Sequence, residues 1–277
     1  MINIGIDPVA ISLGPLEVRW YGIMVVLAVV AVIVISLLEA RRVGLAEEHI
    51  YSVGLWAIIG GIIVSRLLHV IDKWGYYMAN PVQIIGFEGL TVYGAVFGAL
   101  LAILIYCWVK KISFWRIGDV AAPGAILGQA IGRIGCLING CCYGLPTSLP
   151  WAVVYTNPGS YGPAEAVHPT QIYHLIWNLI GFGILWSLRC RLKPQGSLFL
   201  LYLAVYAAGD LSIRFVRVGE PFRSGMFFNM QEAQLIGIIV LVVTVPWLII
   251  RMWRARAQAP TTGGSGEVSR PERNRGA

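Results

Sequence analysis

Of 277 residues, 57% are hydrophobic and only 13% charged, with a mean hydropathy of +0.71, whereas a soluble domain carries about 25% charged residues. That balance excludes a water-soluble globular protein and predicts an all-α integral membrane protein, because a helix satisfies its own backbone inside a bilayer. The net charge of +7 does not point to nucleic acid, since its placement along the chain follows the positive-inside rule.

The first twenty residues hold two prolines and acidic residues in place of a basic start and apolar core, so no cleavable signal peptide is expected. Apolar runs of membrane-crossing length then predict about seven transmembrane helices, at 20–38, 51–70, 89–109, 119–138, 172–188, 197–216 and 234–252. Ten Trp and twelve Tyr suit aromatic belts at the two interfaces. Arg41, Arg42, Lys110, Lys111, Arg116, Arg189, Arg191, Lys193, Arg251, Arg254, Arg256, Arg270, Arg273 and Arg275 fall on one side if the spans alternate. They are fourteen of the 21 basic residues. That side is predicted to be cytoplasmic, which places the N-terminus outside and the C-terminus inside. Residues 1–256 read as a single polytopic membrane domain, and 257–277 as a disordered cytoplasmic tail. No internal repeat is evident, which argues against an inverted-repeat transporter.

The other basic residues are Arg19, Arg66, Lys73, Arg133, Arg214, Arg217 and Arg223. Snorkelling to the headgroups accounts for Arg19, Lys73 and Arg223. Arg133 and Arg214 lie deep in apolar sequence, where a charge costs roughly 2.5–3.5 kcal/mol at mid-span and marks a functional site. Guanidinium groups converging at one membrane level call for an anion, and lipid phosphate suits their bidentate hydrogen bonding. Gly124, Gly128 and Gly132 precede Arg133 at every fourth residue, so one helix face admits a close neighbour. Asp119 is expected to cap the N-terminus of that fourth span, and Asn139 to cap or close the turn after it.

Residues 139–171 contain no Lys or Arg and are rich in Pro and Gly, which predicts an ordered outer loop domain. His69 and His174 are placed on helix surfaces. Cys107 and Cys190 read as buried thiols. For Cys136, Cys141 and Cys142 three alternatives stand: a metal site with His168, a disulfide pinning the turn, and inert thiols. Their spacing fits no standard zinc pattern, so no metal is assigned.

With these residues in view, the chain resembles the prolipoprotein diacylglyceryl transferases of bacterial membranes over about residues 7 to 253. Asp7-Pro8-Val9, Ser12-Leu13-Gly14-Pro15 and Trp20-Tyr21-Gly22 look like the family's N-terminal arm and first span. Arg66 sits where its second span carries an arginine. Gly132-Arg133-Ile134-Gly135, Asn139-Gly140 and Gly144 match its signature GRxGNFxNGExxG. His168-Pro169-Thr170-Gln171 with Tyr173 matches HPxQxY, Tyr206 and Arg217 match its sixth span, and Gln231 or Gln234 a later glutamine. Five positions depart from the pattern. Tyr93 stands where the family has histidine, Cys136 and Cys141 replace its asparagine and glutamate, and Asp210 and Arg214 exchange a basic–acidic pair.

The resemblance implies transfer of a diacylglyceryl group from phosphatidylglycerol to the lipobox cysteine of a prolipoprotein signal peptide. A thioether forms and glycerol phosphate leaves. It implies no cofactor, and an active site facing the outer leaflet of the bacterial plasma (inner) membrane, within the lipid bilayer. Implied catalytic residues are Arg133, Tyr21, Tyr93, Tyr206 and His168. Implied phosphatidylglycerol contacts are Arg133, Arg66, Asn139, Gly144, Arg214, Arg217 and Gln171. A diverged paralogue with another acceptor, and a non-enzymatic protein that binds or transports anionic lipid, remain the alternatives.

Overall fold

The computed structural model describes residues 1–14, 16–79, 81–85, 91–218 and 230–257. The expected tail beyond Ala257, Arg223 and the Gly89-Leu90 part of the third-span motif lie outside them. Among the described residues eight α-helices dominate: α1 (Trp20–Arg42), α2 (Glu47–Asp72), α3 (Trp74–Ala79), α4 (Val92–Val109), α5 (Phe114–Asn139), α6 (Thr170–Leu188), α7 (Ser197–Arg214) and α8 (Glu232–Ala257). All except α3 coincide with the apolar stretches expected from the sequence. Five of them, α1, α2, α5, α7 and α8, are long and apolar enough to cross a membrane. Their outward faces expose large aliphatic side chains such as Val26, Ile63, Leu67 and Ile239. So much apolar surface is tolerable only against lipid.

Helix α5 is the centre of the bundle, packing against α1, α6 and α7, while α2 pairs with α4 and α7 with α8. A Cβ added at Gly124 would sit 2.8 Å from the Val32 carbonyl oxygen, and one at Gly128 2.7 Å from a Val32 methyl. The bare face therefore lets α1 lie directly on the α5 backbone. Gly132, the third member of the stripe, faces open space. A second close crossing, between α2 and α4, uses Gly60, Gly94 and Gly98.

Two features depart from the sequence reading. First, α5 begins at Phe114, so the segment expected to connect two spans is helical and Asp119 lies inside it. Its carboxylate accepts the backbone N–H groups of Gly196 (2.5 Å) and Phe199 (2.9 Å). Asp119 thus caps α7 across the bundle rather than its own helix, satisfying donors that a helix N-terminus leaves unpaired.

Second, among the described residues four short strands appear where only loops were expected. β1 (Ile2–Ile4) pairs in parallel with β4 (Val153–Tyr155), and β2 (Val9–Leu13) pairs antiparallel with β3 (Leu16–Arg19). Three to five residues are too few for a period-two pattern to declare itself. The N-terminal arm folds onto the 139–171 loop, with Ile4, Val153, Tyr155 and Val167 burying one another and Leu137 of α5 beneath them. The loop is ordered by a small core of its own, seated on the end of α5.

Two outcomes test this packing by thermal unfolding of the detergent-purified chain. Gly124→Val should cost about 1–3 kcal/mol through overpacking, while Gly132→Val should cost far less, because its Cβ meets nothing. Asp119→Ala should destabilise by about 1–2 kcal/mol, and Asp119→Asn should retain most of the cap. An equal cost for Gly124→Val and Gly132→Val would contradict the α1–α5 contact.

Candidate functional site

The site forms where α1 and α6 begin and α5 and α7 end. Helix α5 stops because Gly140 adopts a left-handed conformation (φ 74°), which is cheap only for glycine. The Cys141 N–H then returns to the Cys136 carbonyl at 3.1 Å. Beyond this turn, Gly144 brings the loop against the exit of α7. A Cβ there would lie 2.5 Å from both His168 Cβ and the Val216 carbonyl oxygen. With that clearance, Leu145 N–H reaches Val216 at 2.9 Å, and Gly144 pairs with Arg217 in a β-bridge. Gly144 therefore works by backbone approach, carrying Arg217 to the α5 turn.

On α7, Tyr206, Asp210 and Arg214 recur every fourth residue and share one face. Arg214 Nε donates to Asp210 Oδ2 at 2.6 Å, so the exchanged acid–base pair is intact. Arg214 also donates to Gln231 Oε1 at 3.4 Å, and Gln231 Nε2 donates to the Arg217 carbonyl at 3.3 Å. Tyr206, Cys136, Cys142 and Asp210 are the electrostatic neighbours of Arg133. Tyr21, in the first turn of α1, is 43% exposed and faces the three cysteines and Arg133. Tyr21, Arg133, Tyr206, Arg214 and Arg217 thus converge.

Helix α6 contributes the supports. Gln171 is buried and its amide donates to the Cys141 carbonyl at 2.7 Å and to the Tyr155 phenol at 3.0 Å. Burial pushes Tyr155 up to about 12, the hydrogen bond with Gln171 opposing it, so the phenol stays neutral. Thr170 Oγ1 donates to the Cys142 carbonyl at 2.5 Å. Gln171 therefore acts on the cysteine turn. Among the three thiols, hydrogen bonds from Cys136 and Cys141 hold Cys142 well below the usual thiol value, with Arg217 and Arg133 adding to the effect.

Other expected residues sit apart. His168 Nδ1 is 3.2 Å from the Tyr173 hydroxyl, which also accepts from Trp151 Nε1 at 2.9 Å, so this imidazole lies in the loop's own network. Asn139 ends α5, and its carbonyl accepts the Tyr161 N–H at 3.1 Å. Arg66 donates to the carbonyls of Ile84 (3.0 Å) and Gln83 and stacks over Tyr77, holding the chain that follows α2. Tyr93 is 48% exposed on α4, the helix that pairs with α2.

His174, expected on a helix surface, is instead buried (1% exposed), with Nε2 3.7 Å from Asp210 Oδ1. Asn178, one turn along α6, is also fully buried. The sequence signal was present: His174 and Asn178 are polar, four apart and on one face of an otherwise apolar helix.

Three comparisons bear on this constellation. Residues 8–250 match the sequence model of the family described as prolipoprotein diacylglyceryl transferase. A phosphatidylglycerol–prolipoprotein diacylglyceryl transferase of Dehalococcoides mccartyi is 43% identical over 253 residues, covering 91% of this chain and 96% of that protein. Proteins of the same name from Lysinibacillus sphaericus and Trichormus variabilis are 36% and 34% identical, covering 91% and 88% of this chain and 94% and 90% of theirs. The family match spans the N-terminal arm, the cysteine turn and the arginine-bearing end of α7 alike, and the chain belongs to the prolipoprotein diacylglyceryl transferase family.

Proposed function

We propose that this chain transfers the diacylglyceryl group of phosphatidylglycerol to the lipobox cysteine thiol of prolipoproteins, at the outer leaflet of the bacterial plasma membrane. One observation carries the reading. Arg133, Arg214 and Arg217 meet at one end of the bundle around Asp210, and Asp210 is already paired with Arg214. The excess positive charge suits a phosphodiester held among apolar helices.

In this reaction the acceptor sulfur attacks the C3 methylene of the glyceryl group. The carbon–oxygen bond to phosphate breaks, and glycerol phosphate leaves with the bonding pair. Negative charge grows on the departing phosphate, where guanidinium groups stabilise the transition state more than the ground state. Arg133 and Arg217 are the phosphate ligands, and Arg214 joins them while keeping Asp210 paired. Tyr206 orients Arg133, and Tyr21, partly exposed beside Arg133, lies on the approach from the membrane. Residues 1–256 form the polytopic unit, and the basic connections at the far end face the cytoplasm.

Purified protein incubated with phosphatidylglycerol and a lipobox peptide should add a diacylglyceryl mass to the peptide cysteine and release glycerol phosphate. Arg133→Ala should lower the rate about 100-fold or more. Arg133→Lys should also lose at least about tenfold, because an ammonium lacks the bidentate fork. Both variants should unfold thermally close to the parent protein. Absence of thioether with the parent protein, under conditions where it binds phosphatidylglycerol, would sink the reading.

A further inference from the structure

Cys136, one turn before the end of α5, and Cys141 and Cys142 in the turn beyond it bring three sulfur atoms within 4.8 Å of one another. The backbone is shaped to do this. Gly140 and Cys142 both take positive φ (74° and 65°), a conformation uncommon for a non-glycine residue. The carbonyls of Cys141 and Cys142 are held by Gln171 and Thr170, both fully buried. Among the described residues the group has three members, with no histidine or carboxylate completing it.

Three sulfur donors with one open side are the arrangement of a catalytic zinc centre, whereas structural zinc sites close with four protein ligands. Tetrahedral zinc with bonds of about 2.3 Å places its sulfurs about 3.8 Å apart, so side-chain rotations of about 1 Å complete the geometry. Soft thiolates also select zinc over magnesium or calcium. The reaction needs a thiolate, yet the nearby imidazoles are engaged elsewhere. His168 faces Tyr173, and His174 is buried against Asp210. Tyr93, at the family's histidine position, is on the α2–α4 side.

We propose that Cys136, Cys141 and Cys142 bind one zinc ion as thiolates, and that its fourth position takes the acceptor cysteine of the prolipoprotein. The metal half stands on the cysteine geometry, and the acceptor half rests on the transferase reading above. On coordination the acceptor S–H proton passes to solvent. The zinc-bound sulfur supplies the electron pair for the new S–C3 bond, the C3–O bond breaks toward phosphate, and no atom changes oxidation state. The thioether, a weaker ligand than a thiolate, then leaves the metal. Arg133 and Arg217 flank the sulfurs, so they offset the negative charge of a zinc bound by four thiolates. They also put the leaving phosphate beside the attacking sulfur.

The full-length protein, purified in detergent under reducing conditions without chelator, should contain about one zinc per chain by mass spectrometry. Reloaded with cobalt, it should show a thiolate-to-cobalt charge-transfer band and visible bands of tetrahedral coordination. Cys136→Ser and Cys142→Ser should each weaken zinc binding more than about 100-fold, while Cys107→Ser should retain it. A lipobox peptide should shift the cobalt bands, and its Ser-substituted analogue should not. A folded parent chain that takes up neither metal, or a disulfide among the three cysteines in protein isolated from membranes, would overturn the metal site. Unchanged cobalt bands on adding the peptide, or full transfer by metal-free protein, would overturn its role toward the acceptor. Absent transfer in zinc-loaded protein whose bands do shift would count against the transferase reading and leave the metal site standing.

Discussion

An arginine keeps its proton in any protein environment, so each guanidinium placed among apolar helices must be met by an anion or by oriented acceptors. The rest of this site depends on that constraint. Arg214 is satisfied within its own helix by Asp210, one turn back, and Arg217 is drawn toward the cysteine turn by the backbone bridge at Gly144. Arg133 is left facing a phenol and thiols. The bundle is thus balanced for a negatively charged guest, and selectivity for an anion is set before any substrate arrives.

Around this charge the chain builds a stiff frame from unremarkable parts. The N-terminal arm becomes a strand beside the 139–171 loop, and the loop rests on Leu137 of α5. Two buried side chains at the start of α6 tie down consecutive carbonyls of the cysteine turn. Groups that have to act on a substrate gain most when their supports are rigid. Here those supports come from three separate stretches of sequence.

Much of this was legible in the sequence, and the limits have physical reasons. Long apolar stretches mark helices because the bilayer forces the backbone to satisfy itself. Arg133 and Arg214 stood out because charge there is costly, and the Asp210–Arg214 pair followed from helical spacing. Asp119 was misplaced because a cap partner in another helix leaves no local signature. The same holds for the meeting of Cys136 with Cys141 and Cys142, which depends on two left-handed backbone positions. His174 was misjudged because it was weighed alone, whereas paired with Asn178 one turn along it marks a polar stripe on an apolar helix. Gly132 looked like its stripe-mates, but it is turned off the line of contact, which α1 resumes at Gly135, where a Cβ would lie 3.0 Å from Met24 Cβ and 3.3 Å from Tyr21 Cα.

The cap from Asp119 to α7 has a geometric consequence. Helices α5 and α7 run in the same direction from that shared point, and at 1.5 Å per residue Arg133 stands about 21 Å along α5 from Asp119. Arg214 stands about 22 Å along α7 from Phe199, the residue whose N–H the carboxylate receives. Two rods zeroed at the same pin therefore deliver their cations at the same height. A slip of one helical turn, about 5.4 Å, would separate them by more than the width of a phosphate group. Asp119 thus acts as the datum from which the depth of the anion site is measured, at the far end of the bundle from the chemistry.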